Sequence, residues 1–268
     1  SLGERTTHGP LARTVADAAA LLDVLAGATP GDLVAALPPA DGGSFLAAAG
    51  REPDRLRIGR YAVPVIAETE VDPVVLGVYE DASRLLESLG HVVEDVAPPF
   101  GPDQVHAFEA VWSILALGVP VDPADEVRLR PLTRWLRDRG RAVSGEQLAA
   151  SVGLMRTLTR STIASTYAYD AVLTPTLAAL PAPVGGLRDD ADPEGDFEAQ
   201  KRFTPFTSPY NISGQPAVSL PLGWPEVDGV VLPVGIQLVG RPGEEALLLG
   251  LAGQLERAAP WAHRRPPV

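Results

Sequence analysis

An unassisted serine hydroxyl is a poor nucleophile and needs a paired base, and this chain offers few bases. It has one lysine, Lys201 in "FEAQKRFTPF", and four histidines, His8, His91, His106 and His263. No serine lies in a G-x-S-x-G elbow. Ser219, in "AVSLP", falls mid-strand and reads as packing. His8 belongs to an opening loop, His91 starts a strand, and His263 sits in an "HRRPP" tail. Lys201 reads as a solvated surface charge. No Ser–His–Asp site is therefore expected within these residues. Cysteine is absent, which removes thiolate chemistry and disulfides. No His, Asp and Glu residues have metal-ligand spacing, and the acidic run "RDDADPEGDFE" (188–198) reads as a solvated loop. No catalytic set, metal or cofactor is expected inside the chain.

Charge narrows the partners further. The 268 residues carry a formal net charge of −12 and a pI near 4.8. Nucleic acid and anionic membrane both call for a basic footprint, so neither is expected. No apolar run approaches the roughly 20 residues of a membrane span, and a cytoplasmic protein is expected. The hydrophobic fraction of 46% is enough for a sizeable core.

The elements that would position any site can be read in order. Thr14 and Asp17 suggest a capping box, and Val15, Ala18, Leu22 and Leu25 follow at helical spacing up to Gly27, so 1–27 is read as a helix with its lead-in. Residues 28–55 carry Pro and Gly clusters and read as a connection. "LRIGRYAV" (56–63) reads as a strand, Asp72 and Pro73 open a helix whose apolar face is Val75, Tyr79, Ala82, Leu86 and Leu89, and "HVVEDVAP" (91–98) is the second strand. Strand, helix and strand at this spacing form a βαβ unit with parallel strands over 56–98. Residues 100–168 are helical, with a second capping box at Ser144 and Gln147. "YDAVLTPT" (169–176) reads as a buried strand, 177–198 as a long loop, and 217–222 and 229–240 as antiparallel strands before a closing helix over 244–259. The expected class is α/β, a mixed, mostly parallel sheet with helices on both faces, with 169–268 completing the sheet.

Several blocks, taken together and in order, resemble the amidase signature family. They are "GPLARTVADAAALLDVLAG" (9–27), "YDAVLTPT" (169–176), "SPYNISGQPAVSLPLG" (208–223) and "LPVGIQLVGRPGEEALLLGLAGQLE" (232–256). The βαβ stretch is similar as well, so the resemblance runs from about residue 9 to 260. It implies the downstream half of that fold, incomplete at its N-terminal side. It also implies hydrolysis of an amide bond by a Ser–Ser–Lys set that precedes the "GPLARTV" block. On that expectation the catalytic residues lie upstream of Ser1. The chain has no initiator Met, its only Met being Met155. Alone it would be inactive, and it would be covered by the missing half or self-associate.

What the resemblance leaves to this chain is part of the acyl pocket for a small-molecule amide. It implies Thr204, Phe206, Thr207 and Tyr210 near the substrate, with Asn211 and Gln215 shaping the turn; Phe206 and Tyr210 fit a packed core equally well. Glutamine-using tRNA amidotransferase subunits carry an Asp where Thr204 falls, a carboxylate suited to an ammonium. Thr204 therefore favours a general amidase. A natural half-length binding or regulatory module is the alternative of a different class.

Overall fold

The computed structural model describes residues 9–31, 38–39 and 41–265. His8 and the loop assigned to the first eight residues lie outside the described residues.

Apolar segments bounded by proline, glycine and polar caps give a five-stranded sheet. Its strands are β1 (Arg57–Arg60), β2 (Val92–Asp95), β3 (Ala171–Pro175), β4 (Ala217–Gly223) and β7 (Val234–Gly240). The order is β2-β1-β3-β7-β4. β1 pairs in parallel with β2 and β3, whereas β7 runs antiparallel to both β3 and β4. Four strands thus point one way and β7 alone opposes them. The 229–240 stretch expected as one strand is broken at Leu232 and Pro233. Its first part, β6 (Val230–Val231), folds back on β5 (Glu226–Val227) in a two-stranded ribbon. The turn takes φ of 51° at Asp228 and 78° at Gly229, which fits the Asp-Gly hairpin preference.

Cap chemistry sets the helix starts. In α1 (Val15–Leu25) the Thr14 side chain accepts from Asp17 N. In α3 (Pro73–Ser88) Asp72 accepts from Val74 N and Pro73 occupies the first turn. In α6 (Gly145–Thr166) both halves of the Ser144–Gln147 capping box form. The connection expected over 28–55 contains one short helix, α2 (Phe45–Ala49), whose first N–H groups are also capped by Asp23 of α1. The acidic run read as loop holds the start of α7 (Pro193–Phe203), because Asp192 caps Gly195 N and Pro193 presets the first turn. The remaining helices are α4 (His106–Leu115), α5 (Pro131–Ala142), α8 (Ser208–Ser213) and α9 (Glu245–Ala258).

Pleat alternation assigns the layers. A side chain at Gly223 would collide with Val78 of α3, and one at Gly240 would press on Leu248 of α9. Gly223 is paired with Val234, on the same face of β7 as Gly240, so α3 and α9 cover one face together. Ile236, Leu238, Leu251 and Leu255 are wholly buried between these layers. The other face carries Thr174, Gln237, Ser219 and Ala217. The segment 204–215, containing α8 and backed by α6 through Thr159 Oγ1 donating to Ile212 O, occupies part of it. Ala217 and Ser219 stay exposed there. α4 to α7 form a helical layer with its own cluster of Ala107, Phe108, Val111 and Met155.

His91 is a buried clip. Leu56 N donates to its Nδ1 at 3.1 Å, which leaves Nε2 as the N–H that reaches Gln254 Oε1 at 2.9 Å. This ties the entry to β2 onto α9.

Gly253 in α9 shows how tightly α9 meets α2. A Cβ there would lie 2.2 Å from the Ala49 carbonyl oxygen. Gly→Ala inside a helix ordinarily stabilises by up to about 1 kcal/mol. Here we expect Gly253→Ala to destabilise by about 1–3 kcal/mol through overpacking, read as a lower urea midpoint; an unchanged or raised midpoint would mean that the α2–α9 contact yields.

Candidate functional site

A cleft of about 780 Å³ opens among the described residues. Its walls are α1 with the segment that leads into it from Gly9, the segment from Thr207 to Pro221, and the start of α9, together with Trp224 and Trp261. The size is that of a small-molecule site. The wall is mainly apolar, with Thr207, Asn211, Gln215, Ser219 and Gln237 among its polar members.

Of the six residues singled out from the sequence, Thr207, Tyr210, Asn211 and Gln215 line this cleft. Gln215 shapes the turn after α8. Its Nε2 donates to Gly240 O at 2.9 Å, and its Oε1 accepts from Ser213 Oγ at 3.1 Å. The turn needs Gly214, which ends α8 at φ 71°, a left-handed conformation that glycine adopts without steric cost. Tyr210 contributes to the wall while its hydroxyl points into the core, 2.9 Å from Tyr61 Oη. Burial pushes both phenols above their ordinary value, so both remain protonated.

Thr204 and Phe206 stand apart from the wall. The Thr204 hydroxyl donates to Gln200 O at 3.0 Å and closes the last turn of α7. Phe206 is 0% exposed, with its ring 6.4 Å from that of Tyr61. It touches the site through its backbone, because Gln237 Nε2 donates to Phe206 O at 3.3 Å.

Two wall residues were not identified from sequence. Ser219, read as packing, is exposed and shares a 2.7 Å hydrogen bond with Thr176 Oγ1. Gln237 lies opposite it on β7. Period-2 alternation puts both on one face; what it lacks is knowledge of whether that face is covered.

Lys201 is also not a solvated charge. Its side chain is 12% exposed, its ammonium pairs with Glu109 of α4, and it pairs with Glu198 at 2.6 Å, beside a smaller pocket of about 360 Å³. Burial opposes its charge, yet the hydrogen bonds it donates to Glu109 and Glu198 outweigh this and raise its pKa. It is a tie between α4 and α7. No group of three His, Asp or Glu among the described residues could hold a metal ion, and no described helix is long and apolar enough to cross a membrane.

Comparison with known proteins agrees with this architecture. The Amidase family model matches residues 3–249. The chain belongs to the amidase family. It is 35% identical over 266 residues to a Mycobacterium tuberculosis protein named as an amidase, AmiB2, covering 98% of this chain and 54% of that protein. It is 33% identical over 277 residues to the 6-aminohexanoate-cyclic-dimer hydrolase of a Pseudomonas species, covering 97% of this chain and 55% of that enzyme. The structure of a 6-aminohexanoate cyclic dimer hydrolase complexed with substrate superposes with a TM-score of 0.79 at 29% identity, over 95% of this chain and 55% of that one. The chain therefore spans about half the length of the relatives it matches.

Two outcomes are expected. Phe206→Ala should cost about 3–5 kcal/mol of stability as a core deletion, measured by denaturant unfolding; a loss below 1 kcal/mol would place its ring at a surface. Lys201→Met should cost on the order of 2 kcal/mol, since it removes the cation shared by Glu109 and Glu198 and leaves Glu109 only Arg139 at 3.6 Å. The folded pKa of Lys201 is raised, so its contribution is fully present below the ordinary lysine value near 10.4 and is lost as pH climbs through the folded value. The wild-type advantage over Lys201→Met should be flat from about pH 6 to 9 and shrink above about pH 10.5; a gap unchanged at pH 11 would contradict the ion-pair assignment.

Proposed function

We propose that this chain is the downstream part of an amidase that hydrolyses the C–N bond of a small carboxylic amide. The observation that carries the reading is the cleft. An apolar, ligand-sized concavity lies against a sheet face whose β4 residues Ala217 and Ser219 are open, in a chain that matches its family along nearly its whole length. In this reading the chain supplies one wall of the acyl site. The serine nucleophile, the second serine and the lysine base come from an upstream portion that packs over the open face. Attack by the serine on the amide carbonyl expels the amine, and water then releases the acid. Lys201 and His91 support such a division, because each is committed to structural partners.

Through the resemblance alone, since its side chain stands apart from the cleft wall, Thr204 supports a general amidase over an amidotransferase subunit. It offers no carboxylate to an ammonium, and its hydroxyl proton is used on Gln200 O. Leu11 and Leu25 at the cleft, and Leu21 and Val24 elsewhere on α1, are exposed apolar side chains that support a covering partner. Exposed apolar area beyond about 300–600 Å² is unusual on a soluble monomer.

The purified 268-residue chain should hydrolyse aryl amides and simple esters no faster than background. In size-exclusion chromatography with light scattering it should run as a self-associated species, or with a companion fragment. Turnover that persists in Lys201→Ala after repurification, or a clean 28.1 kDa monomer with a cooperative melt, would count against the missing-half reading and favour a self-sufficient module.

A further inference from the structure

Two Asp-Gly pairs occur in the sequence, Asp41–Gly42 and Asp228–Gly229. Such a pair is open to internal imide chemistry, because glycine leaves the backbone nitrogen after the Asp unhindered. The carboxyl must be neutral, since an ionised carboxylate is a poor electrophile, and the nitrogen must be free to reach it. The two pairs differ in both respects.

At Asp41 both reacting groups are engaged. Its Oδ2 accepts from Arg51 Nη1 at 2.7 Å, and its Oδ1 accepts from Gly43 N at 3.0 Å. The Arg51 hydrogen bond, helped by Gly43 N, holds the carboxyl below the ordinary Asp value and so favours the ionised form. The nucleophile is held as well, because Gly42 N donates to Pro39 O at 2.9 Å.

At Asp228 neither group is engaged. Its carboxylate has no hydrogen-bond or ion-pair partner among the described residues, and Gly229 N donates to no acceptor among them. Both residues are exposed. Asp228 is also the only described non-glycine residue at positive φ, 51°. Its turn closes a ribbon of two residue pairs, Glu226 with Val231 and Val227 with Val230. A two-stranded hairpin by itself is marginal in water, so this turn opens locally at little cost and can reach the reactive geometry.

We propose that Asp228–Gly229 is a site of spontaneous aspartyl isomerisation and that Asp41–Gly42 is protected from it. Gly229 N attacks the side-chain carboxyl carbon of neutral Asp228. A C–N bond forms, the C–OH bond breaks, and the hydroxyl leaves as water with the amide proton. Water then opens the five-membered imide. Opening at the side-chain carbonyl restores Asp228. Opening at the backbone carbonyl leaves the chain running through the side chain, an isoaspartate of unchanged mass. That product adds one CH2 to the main chain and frees an α-carboxylate at the hairpin tip. The tight turn and the Val227–Val230 pair are lost, whereas β4 and β7 stay joined through their own pairs.

Ageing followed by peptide mapping tests this. The 268-residue chain is held in mildly acidic buffer, folded and in parallel in urea, then digested with trypsin. Electron-transfer fragmentation locates the β-linked Asp. Asp228 is the only Asp between Arg202 and Arg257, so one peptide reports it alone. In urea the two pairs should isomerise at similar rates. In the folded chain Asp41 should react about ten-fold or more slowly than Asp228, the worth of two net hydrogen bonds. Arg51→Met, at an exposed side chain, should speed Asp41 several-fold and leave Asp228 unchanged. Equal rates at the two pairs in the folded chain, no isoaspartate at 228 while the unfolded chain forms it, or an Asp41 still fully protected in Arg51→Met would overturn the proposal.

Discussion

The architecture depends on β7. It is hydrogen-bonded on both edges, buried at six of its seven positions, and the only strand of the five that runs against the rest. Burying the Gln237 side chain in its middle would be costly without partners. Its Nε2 finds Thr174 within the sheet and Phe206 O outside it. That second bond joins the sheet to the segment 204–215. Two further bonds hold the same segment, Val65 N to Pro205 O at 3.3 Å and the buried Tyr61–Tyr210 pair. A cleft wall made of a six-residue helix and a turn is held in place in this way, although neither element would persist alone.

The opposite wall is held by carboxylates acting across long sequence distances. Glu256 of α9 accepts from Val15 N at the start of α1, 241 residues away. Asp23 of α1 accepts from Phe45 N and Leu46 N at the start of α2. Trp261 Nε1 donates to Arg13 O. Each bond satisfies a helix-start or loop group that would otherwise be orphaned. Together they close α1, α2 and α9 into one unit flanking the sheet. That unit and α3 cover the first face of the sheet, while the second face is shared between the 204–215 segment and the open cleft.

Local grammar made much of this legible. Thr14, Asp72 and Ser144 announce helix starts because an N-cap needs only its own side chain and the next few N–H groups. The βαβ unit over 56–98 follows from apolar spacing and the handedness of parallel connections. The α/β class follows from the order of the elements, whereas the cleft residues Thr207, Tyr210, Asn211 and Gln215 come through a resemblance that spans ordered blocks. Less visible were features set by contacts between distant segments. Asp228-Gly229 is a local signal for the backward pairing of Val230 with Val227, but nothing near Pro233 shows that Val234 leaves that ribbon to join the main sheet. Nothing in "FEAQKRFTPF" places Glu109 beside Lys201, because that contact crosses 92 residues.

Lys201 and Ser219 were misread for opposite reasons that share one cause. A lone lysine on an acidic chain has a default place in solvent, and a serine inside an apolar strand has a default place in the core. Each default assumes that the residue's neighbours are those of its own element. Lys201 instead meets a carboxylate from α4, which lets it be buried and remain charged. Ser219 instead lies on a strand face that no layer of the described residues covers, which lets a hydroxyl stand open on an otherwise apolar β4. In both cases the tertiary layer, not the local pattern, decides exposure. A polar side chain that runs against its local pattern is therefore informative once the layers are known. Lys201 turns inward, and its role ends in an ion pair. Ser219 turns outward and stands on the wall of the cleft.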